Sequence, residues 1–134
     1  MPTRVIFACI HNAGRSQMAS AFFNALADPV KACSISAGTD PVERIYPEVI
    51  KVMEEAGFDI SSRVPRKLTA ELARGTALLV TMGCGDRCPF IPGLQMSDWP
   101  LPDPHGQSAE RVREIRDDIR ARVVELIRER GWGT

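Results

Sequence analysis

A cysteine and an arginine separated by five residues are the part of this sequence best suited to chemistry. Cys9 follows the apolar run over residues 5–8, and Arg15 precedes an amphipathic stretch, so the pattern predicts a strand, a tight loop and a helix. Such a loop points backbone N–H groups at one spot, where the helix dipole also favours negative charge. Arg15 can hold two oxygens through its planar guanidinium, and the same positive surroundings favour the thiolate of Cys9. The segment therefore predicts a cradle for a tetrahedral oxyanion with a sulfur nucleophile beneath it.

An alternative for this segment is a buried cysteine at the end of a strand beside an unrelated surface arginine. That alternative leaves unexplained why small and polar residues fill the loop between the two. A bare Cys-x5-Arg pattern is common by chance. The strand before it, Gly14 within it and the helix after it favour the functional interpretation.

A second pair of cysteines follows the third predicted strand, in the segment GCGDRCP over residues 83–89. The glycines on either side of Cys84 give backbone freedom, so its sulfur can approach Cys88 or a third thiol. In dithiol redox chemistry one cysteine attacks a sulfur elsewhere and the other resolves the mixed disulfide. Two alternatives stay open: incidental buried cysteines, and a zinc site, which lacks a second ligand pair at the usual spacing. The fourth cysteine, Cys33, lies within a predicted strand and is expected to be a small residue of the hydrophobic core.

Asp103 stands between Pro102 and Pro104. Proline on both sides restricts the local backbone and removes competing N–H donors. A carboxyl group held stiffly near an oxyanion can donate a proton to a leaving oxygen. The alternative is an aspartate in an ordinary turn, and the cysteine loop earlier in the chain favours the catalytic interpretation.

The elements that must position these residues alternate along the chain. Strands are predicted over residues 5–8, 32–37, 77–82 and 94–99. Helices are predicted over residues 16–26, 47–56 and 70–74, and over a last stretch whose apolar positions run through 112–126. Alternating strands and helices predict an α/β fold, a parallel sheet with helices on both faces. Because ligands bind beyond the carboxyl ends of such strands, the two cysteine loops and Asp103 are expected to share one edge.

Composition narrows the class of protein. We expect one domain over residues 1–134, since the length suits one core and not two. Lysine plus arginine and aspartate plus glutamate number 17 each, so no net charge attracts nucleic acid or a membrane surface. No apolar run approaches the roughly 20 residues of a membrane span, and no secretory leader is evident. We therefore expect a cytoplasmic protein, in which four cysteines indicate catalysis, redox chemistry or metal binding.

Together these residues resemble the arsenate reductases built on the low-molecular-weight protein tyrosine phosphatase fold. The resemblance covers essentially the whole chain and is most specific over residues 11–19, 36–38, 80–84 and 98–104. The Gln-Met-Ala continuation after Ser16 is more typical of the arsenate branch than of the phosphatases. Phosphatases usually carry a tyrosine pair around the aspartate, whereas Tyr46 is the only tyrosine here, so no aromatic wall for phosphotyrosine is evident. The resemblance implies a single domain with a central four-stranded parallel sheet.

The resemblance also implies a role for each site residue. Cys9 would be the nucleophile that displaces hydroxide from arsenate, and Asp103 would protonate the leaving oxygen. Ser16 would hydrogen-bond the thiolate, and Asn12 would brace the loop. The implied substrate-binding residues are Ile10, His11, Asn12, Ala13, Gly14, Arg15 and Ser16.

For reduction, the resemblance implies that Cys84 attacks Cys9 and that Cys88 resolves, leaving a Cys84–Cys88 disulfide for thioredoxin. The Cys-x3-Cys spacing is tighter than in the thioredoxin-coupled members, and similar loops occur in members that use a low-molecular-weight thiol such as mycothiol. No cofactor is implied. Some members hold potassium with a carboxylate in the first helix, but Ser20 occupies that position, so no metal site is predicted.

Two other kinds of function remain as alternatives. A low-molecular-weight tyrosine phosphatase or other phosphomonoesterase would need only Cys9, Arg15 and Asp103, with water completing the reaction. A non-catalytic module for oxyanions or arsenic would use the same loop without turnover. Cys84 and Cys88 favour the reductase, because a phosphatase has no use for them.

Overall fold

The computed structural model describes residues 2–83 and 91–134. Within these ranges lie four strands and four helices. In chain order they are β1 Thr3–Cys9, α1 Arg15–Leu26, β2 Ala32–Gly38, α2 Pro47–Glu55, α3 Ala70–Ala73, β3 Leu78–Thr81, β4 Gln95–Asp98 and α4 Ala109–Arg130. The strands form one parallel sheet in the order β2-β1-β3-β4. The predicted α/β class and the four-stranded parallel sheet are confirmed, with element ends moved by a few residues.

The strand β1 is central, and it is buried on both faces of the sheet. Val5 and Phe7 contribute to a large cluster with residues of α1, α2 and α4, whereas Ile6 and Ala8 contribute to a smaller one with Leu68 and α3. This two-sided burial explains why β1 reads as an uninterrupted apolar run. Helices therefore lie on both faces, as predicted.

The helix ends follow local sequence signals. Pro47 is the first residue of α2, where its missing N–H costs no hydrogen bond. The Thr69 hydroxyl caps α3 by accepting from the N–H of Leu72 at 3.0 Å. Gly131 ends α4 with a φ of 70°, the left-handed conformation that glycine adopts without a Cβ clash.

The register of the sheet aligns the carboxyl ends of its strands. Cys9 pairs with Gly38, and Thr81 pairs with both Ala8 and Asp98. The loops that follow the strands therefore begin at one edge of the sheet. Cys33 is half-buried rather than fully in the core, because β2 is an edge strand whose side chains alternate in burial at this end.

Within the described ranges, no helix combines the length and the apolar character that a membrane crossing needs.

Candidate active site

The loop between β1 and α1, residues 10–14, is held by its carbonyl groups. The carbonyls of Ile10 and Ala13 accept from the N–H groups of Asp40 and Tyr46 at 2.8 and 3.0 Å. Within the described ranges, no backbone carbonyl accepts from the N–H groups of residues 11–14. Because the carbonyls are bound on the outside of the loop, its N–H groups stay available to an anion. We call residues 9–15 the cradle.

Asn12 braces the cradle from within. Its φ of 52° places it in the left-handed region, which asparagine tolerates better than most residues. Its Nδ2 donates to Ser16 Oγ at 2.7 Å, while its Oδ1 accepts from Gln17 Nε2 at 3.2 Å and from the Arg66 N–H at 2.9 Å. The side chain is fully buried. These bonds stabilise a strained backbone conformation that costs on the order of 1–3 kcal/mol when unsupported.

Cys9 lies at the bottom of the cradle, 2 % exposed, with its Sγ 2.9 Å from Ser16 Oγ. The Ser16 oxygen already accepts from Asn12 Nδ2. Its single hydroxyl proton is therefore free to point at the sulfur, since a hydroxyl accepts and donates at the same time. This arrangement gives the sulfur a hydrogen-bond donor that stabilises negative charge.

Arg15 is a buried cation without a carboxylate partner in the described part of the chain. It is 5 % exposed, and its Nη1 donates to the Leu101 carbonyl at 3.0 Å. Gly83, with a φ of 85°, makes room for it: a Cβ there would lie 2.6 Å from Nη1. A buried guanidinium is costly unless it is paired. The site therefore suits a bound anion.

The segment around Asp103 lies against the cradle. A Cβ on Gly14 would come within 2.8 Å of Pro104 Cγ, which shows how closely the two segments pack. Asp103 Oδ1 accepts from the His105 N–H at 2.9 Å. The structure thus brings the cradle, Gly83 and residues 101–104 to one edge, as the topology predicted. Cys84 and Cys88 lie outside the described residues.

The family model described as low molecular weight phosphotyrosine protein phosphatase matches residues 4–130. The chain belongs to this family.

Several proteins similar to this chain carry arsenate reductase names. A putative arsenate reductase of Halobacterium salinarum is 41 % identical in an alignment that covers 95 % of this chain and 92 % of that protein. A glutaredoxin arsenate reductase of Synechocystis sp. is 33 % identical, covering 92 % of this chain and 95 % of that protein. A solved thioredoxin-dependent arsenate reductase of Corynebacterium glutamicum superposes with a TM-score of 0.81 at 38 % identity over 96 % of this chain. This chain covers 61 % of that longer one.

Tyr46 is the site residue that sequence reasoning missed in this phosphatase-family chain. Its ring stacks on His105, with centroids 4.2 Å apart and planes inclined by 23°. Burial, and then the negative charges of Asp103 and Cys9, raise the pKa of Tyr46 to about 12, while Arg15 acts in the opposite direction. Tyr46 therefore stays protonated at neutral pH within electrostatic reach of all three groups. An aromatic ring does border the cradle, but it comes from the start of α2 rather than from the neighbourhood of the aspartate.

The cavity beside Ser20 is lined by arginines. Ser20 Oγ lies 2.9 Å from Ser34 Oγ, and both line a cavity of about 430 Å³ together with Arg63 and Arg66. Burial lowers the pKa of Arg63. The two arginines give this cavity a positively charged lining. Among the described residues, no group of three or more His, Cys, Asp or Glu side chains is arranged to hold a metal ion.

Gln17 and Arg66 are further residues that sequence reasoning did not assign to the site. Both bond to Asn12, one from the first turn of α1 and the other from a backbone N–H 54 residues away. Gln17 stands within the motif that resembles the arsenate branch, which is a usable signal. No local pattern indicates that the Arg66 backbone would reach Asn12.

Proposed function

We propose that this chain is a thiol-dependent arsenate reductase that converts arsenate to arsenite for arsenic detoxification. One observation carries the proposal: a buried cysteine sulfur, hydrogen-bonded by Ser16, shares its loop with a buried Arg15 that has no carboxylate partner among the described residues. That arrangement suits a nucleophile beneath an oxyanion. The names of the relatives, together with Cys84 and Cys88 in the sequence, favour arsenate over a phosphate ester as the substrate.

In the first step, arsenate binds with its oxygens on the cradle N–H groups and the Arg15 guanidinium. The Cys9 thiolate attacks arsenic, an S–As bond forms and an As–O bond breaks. Asp103 donates its proton to the leaving oxygen, which departs as water. Arsenic remains As(V) in this thiol adduct.

In the second step, a thiolate attacks Cys9 Sγ and an S–S bond forms. The electron pair of the S–As bond passes to arsenic, so As(V) becomes As(III) while the two thiol sulfurs are oxidised to a disulfide. We assign the attacking thiolate to Cys84 from the sequence. Cys88 then exchanges with the Cys9–Cys84 bridge, which releases Cys9 and leaves Cys84–Cys88 oxidised.

An external thiol must reduce the enzyme after each turnover. The Corynebacterium structure is described as thioredoxin-dependent and the Synechocystis relative as a glutaredoxin arsenate reductase. We propose thioredoxin as the donor for this chain, with a low-molecular-weight thiol such as mycothiol as the alternative. A cytoplasmic location fits this cycle, because its thiols must be returned to the reduced state.

A phosphomonoesterase is the second candidate, and the Tyr46–His105 pair favours it. Stacked rings beside an oxyanion cradle are able to pack against an aryl ester. In that reaction the Cys9 thiolate would attack phosphorus, the P–O bond to the alcohol would break, and Asp103 would protonate the departing alcohol. Water would then hydrolyse the S–P bond and release inorganic phosphate. Cys84 and Cys88 would have no part in the cycle.

The two candidates are separated by assaying one preparation for both reactions. Arsenite is measured with thioredoxin, thioredoxin reductase and NADPH, then with mycothiol, and aryl phosphate hydrolysis is measured alongside. The proposal predicts one arsenite formed per NADPH oxidised in the thioredoxin assay and little hydrolysis. Rapid hydrolysis without arsenite under either donor would establish the phosphatase instead.

A further inference from the structure

The Asp103 carboxyl group is fixed by the turn that follows it. The His105 N–H donates to Asp103 Oδ1 at 2.9 Å, and Gln107 Nε2 donates to the Asp103 carbonyl at 3.3 Å. Pro104 restricts the backbone between Asp103 and His105 and packs on Gly14. Because His105 holds one carboxyl oxygen, the placement of the other oxygen follows the placement of His105.

His105 is held in turn by Tyr46. The two rings are stacked with centroids 4.2 Å apart, an attractive geometry for aromatic side chains. The Tyr46 N–H donates to the Ala13 carbonyl at 3.0 Å, so the backbone that carries the ring under His105 is hydrogen-bonded to the cradle. A continuous series of contacts therefore runs from the cradle, through the two stacked rings and then the His105 backbone N–H, to the carboxyl of Asp103.

Glu48 contacts the same histidine from the first turn of α2. His105 Nδ1 lies 3.4 Å from Glu48 Oε1, and the histidine side chain is 61 % exposed. Ion pairs at exposed positions contribute little to holding a side chain in place. The stack on Tyr46 is thus the main restraint on the His105 ring.

We propose that His105 is a positioning residue, which aims the Asp103 carboxyl at the leaving oxygen by stacking on Tyr46. The inference rests on the proposed function, because it explains how that reaction's proton donor is placed. In arsenate reduction, His105 touches neither the oxyanion nor the reacting sulfur. Its whole contribution to turnover passes through Asp103.

A double-mutant cycle tests this directly. The variants are His105→Ala, Asp103→Asn and the two combined, with kcat and KM measured for arsenate and for an aryl phosphate. Asp103→Asn is expected to lower kcat by about 10²- to 10⁴-fold, the usual contribution of a general acid. His105→Ala is expected to lower kcat by about 10- to 100-fold, as misplacement of a catalytic group does, while KM for arsenate changes by less than about twofold. The combined variant should be no slower than Asp103→Asn within about twofold, since both changes act on one proton transfer.

Conservative variants separate positioning from general stability. His105→Phe keeps the ring stack and should restore kcat to within about threefold, whereas His105→Gln should not. Glu48→Gln is the matched control for the contact between Glu48 and His105. Its kcat should stay within about threefold of that of the unchanged protein. Circular dichroism checks the fold of each variant, and His105→Gln replaces His105→Ala in the cycle if the alanine variant does not fold.

Each outcome bears on the proposal. If His105→Ala lowers kcat by the same factor with and without Asp103→Asn, His105 does not act through Asp103 and the proposal is overturned. The proposal is also overturned if His105→Ala leaves kcat unchanged. If arsenate is not reduced but aryl phosphate hydrolysis shows the same non-additive cycle, the proposed function fails and the positioning role stands. Absence of both reactions in the unchanged protein overturns both.

Discussion

Ser16 is the residue that most directly controls the reactive sulfur, because its hydroxyl is set between Asn12 Nδ2 and Cys9 Sγ. Ser16→Ala removes the donor to the sulfur, and a hydrogen bond to a charged group contributes about 1.5–3 kcal/mol. We therefore expect the alkylation rate of Cys9 at fixed neutral pH, followed by mass spectrometry, to fall by about tenfold or more. Ser20→Ala is the matched control, since Ser20 is equally buried on α1 and bonds to Ser34 instead. Equal rates in the two variants would contradict the assigned role.

Cys9 itself carries the proposed nucleophilic attack. Cys9→Ser leaves the cradle geometry nearly unchanged but replaces the thiolate with a weak nucleophile, so arsenate turnover should fall by several orders of magnitude, roughly 10⁴-fold or more. The measurement is arsenite formed per enzyme, with a phosphate-binding titration as a check on the cradle. Activity above a few per cent of the unchanged protein would remove Cys9 from the mechanism.

Tyr46 gives a pH-dependent signal that reports on the site without any substrate. It is the only tyrosine in the chain, and its pKa is raised to about 12. The folded state therefore holds the phenol proton more tightly than the unfolded chain does. The contribution of Tyr46 to the free energy of unfolding is therefore fully present below about pH 10. It is lost as the pH rises from about 10 towards 12.

Ultraviolet absorbance measures this titration. We expect little tyrosinate at pH 10 in the folded protein and half-ionisation in urea. Arg15→Ala should raise the pKa of Tyr46 further and Asp103→Asn should lower it, because these groups act on the phenol in opposite directions. Ionisation of the folded protein near pH 10 would show that Tyr46 is neither buried nor close to the negative charges of the site.

At the scale of elements, the close approach of the cradle to the end of β2 sets the shape of the oxyanion site. A Cβ on Gly38 would lie 2.6 Å from the Ile10 carbonyl and 2.9 Å from the Asn12 nitrogen, so Gly38→Ala must displace the loop. We expect affinity for phosphate, an arsenate analogue, to fall by about tenfold or more in calorimetric titration, because anion binding depends on aligned N–H groups. Gly133→Ala is the control, since its Cβ would make an ordinary 3.7 Å contact with Ile127. Unchanged phosphate affinity in Gly38→Ala would contradict this.

The elements were the most predictable part of the molecule. Pro47 and Gly57 bound α2 and Gly131 ends α4, because proline and glycine impose conformations that neighbouring contacts rarely override. The burial of Cys33 was less predictable, since it depends on which strand lies at the edge of the sheet. Strand order is set by long-range pairing and not by the residues of the strand itself.

At the scale of the whole molecule, the convergence of the loops was predictable and the contacts between them were not. A parallel sheet brings the carboxyl ends of its strands to one edge whatever their sequences, which places Cys9 near the Asp103 segment. The stack of Tyr46 on His105 and the bond from Arg66 to Asn12 join residues more than fifty positions apart. Such pairs follow from the path of two loops in space, on which local residue patterns carry no information.

If one molecule reduces one arsenate with its own thiols, a single turnover without external reductant must show it. Fully reduced protein is mixed with arsenate, free thiols are blocked, and disulfides are mapped by mass spectrometry without reduction while arsenite is quantified. We expect a Cys84–Cys88 disulfide with one arsenite per protein, and in Cys84→Ser an arrest at the arsenic adduct on Cys9. Four free thiols and no arsenite in the unchanged protein would contradict an internal relay.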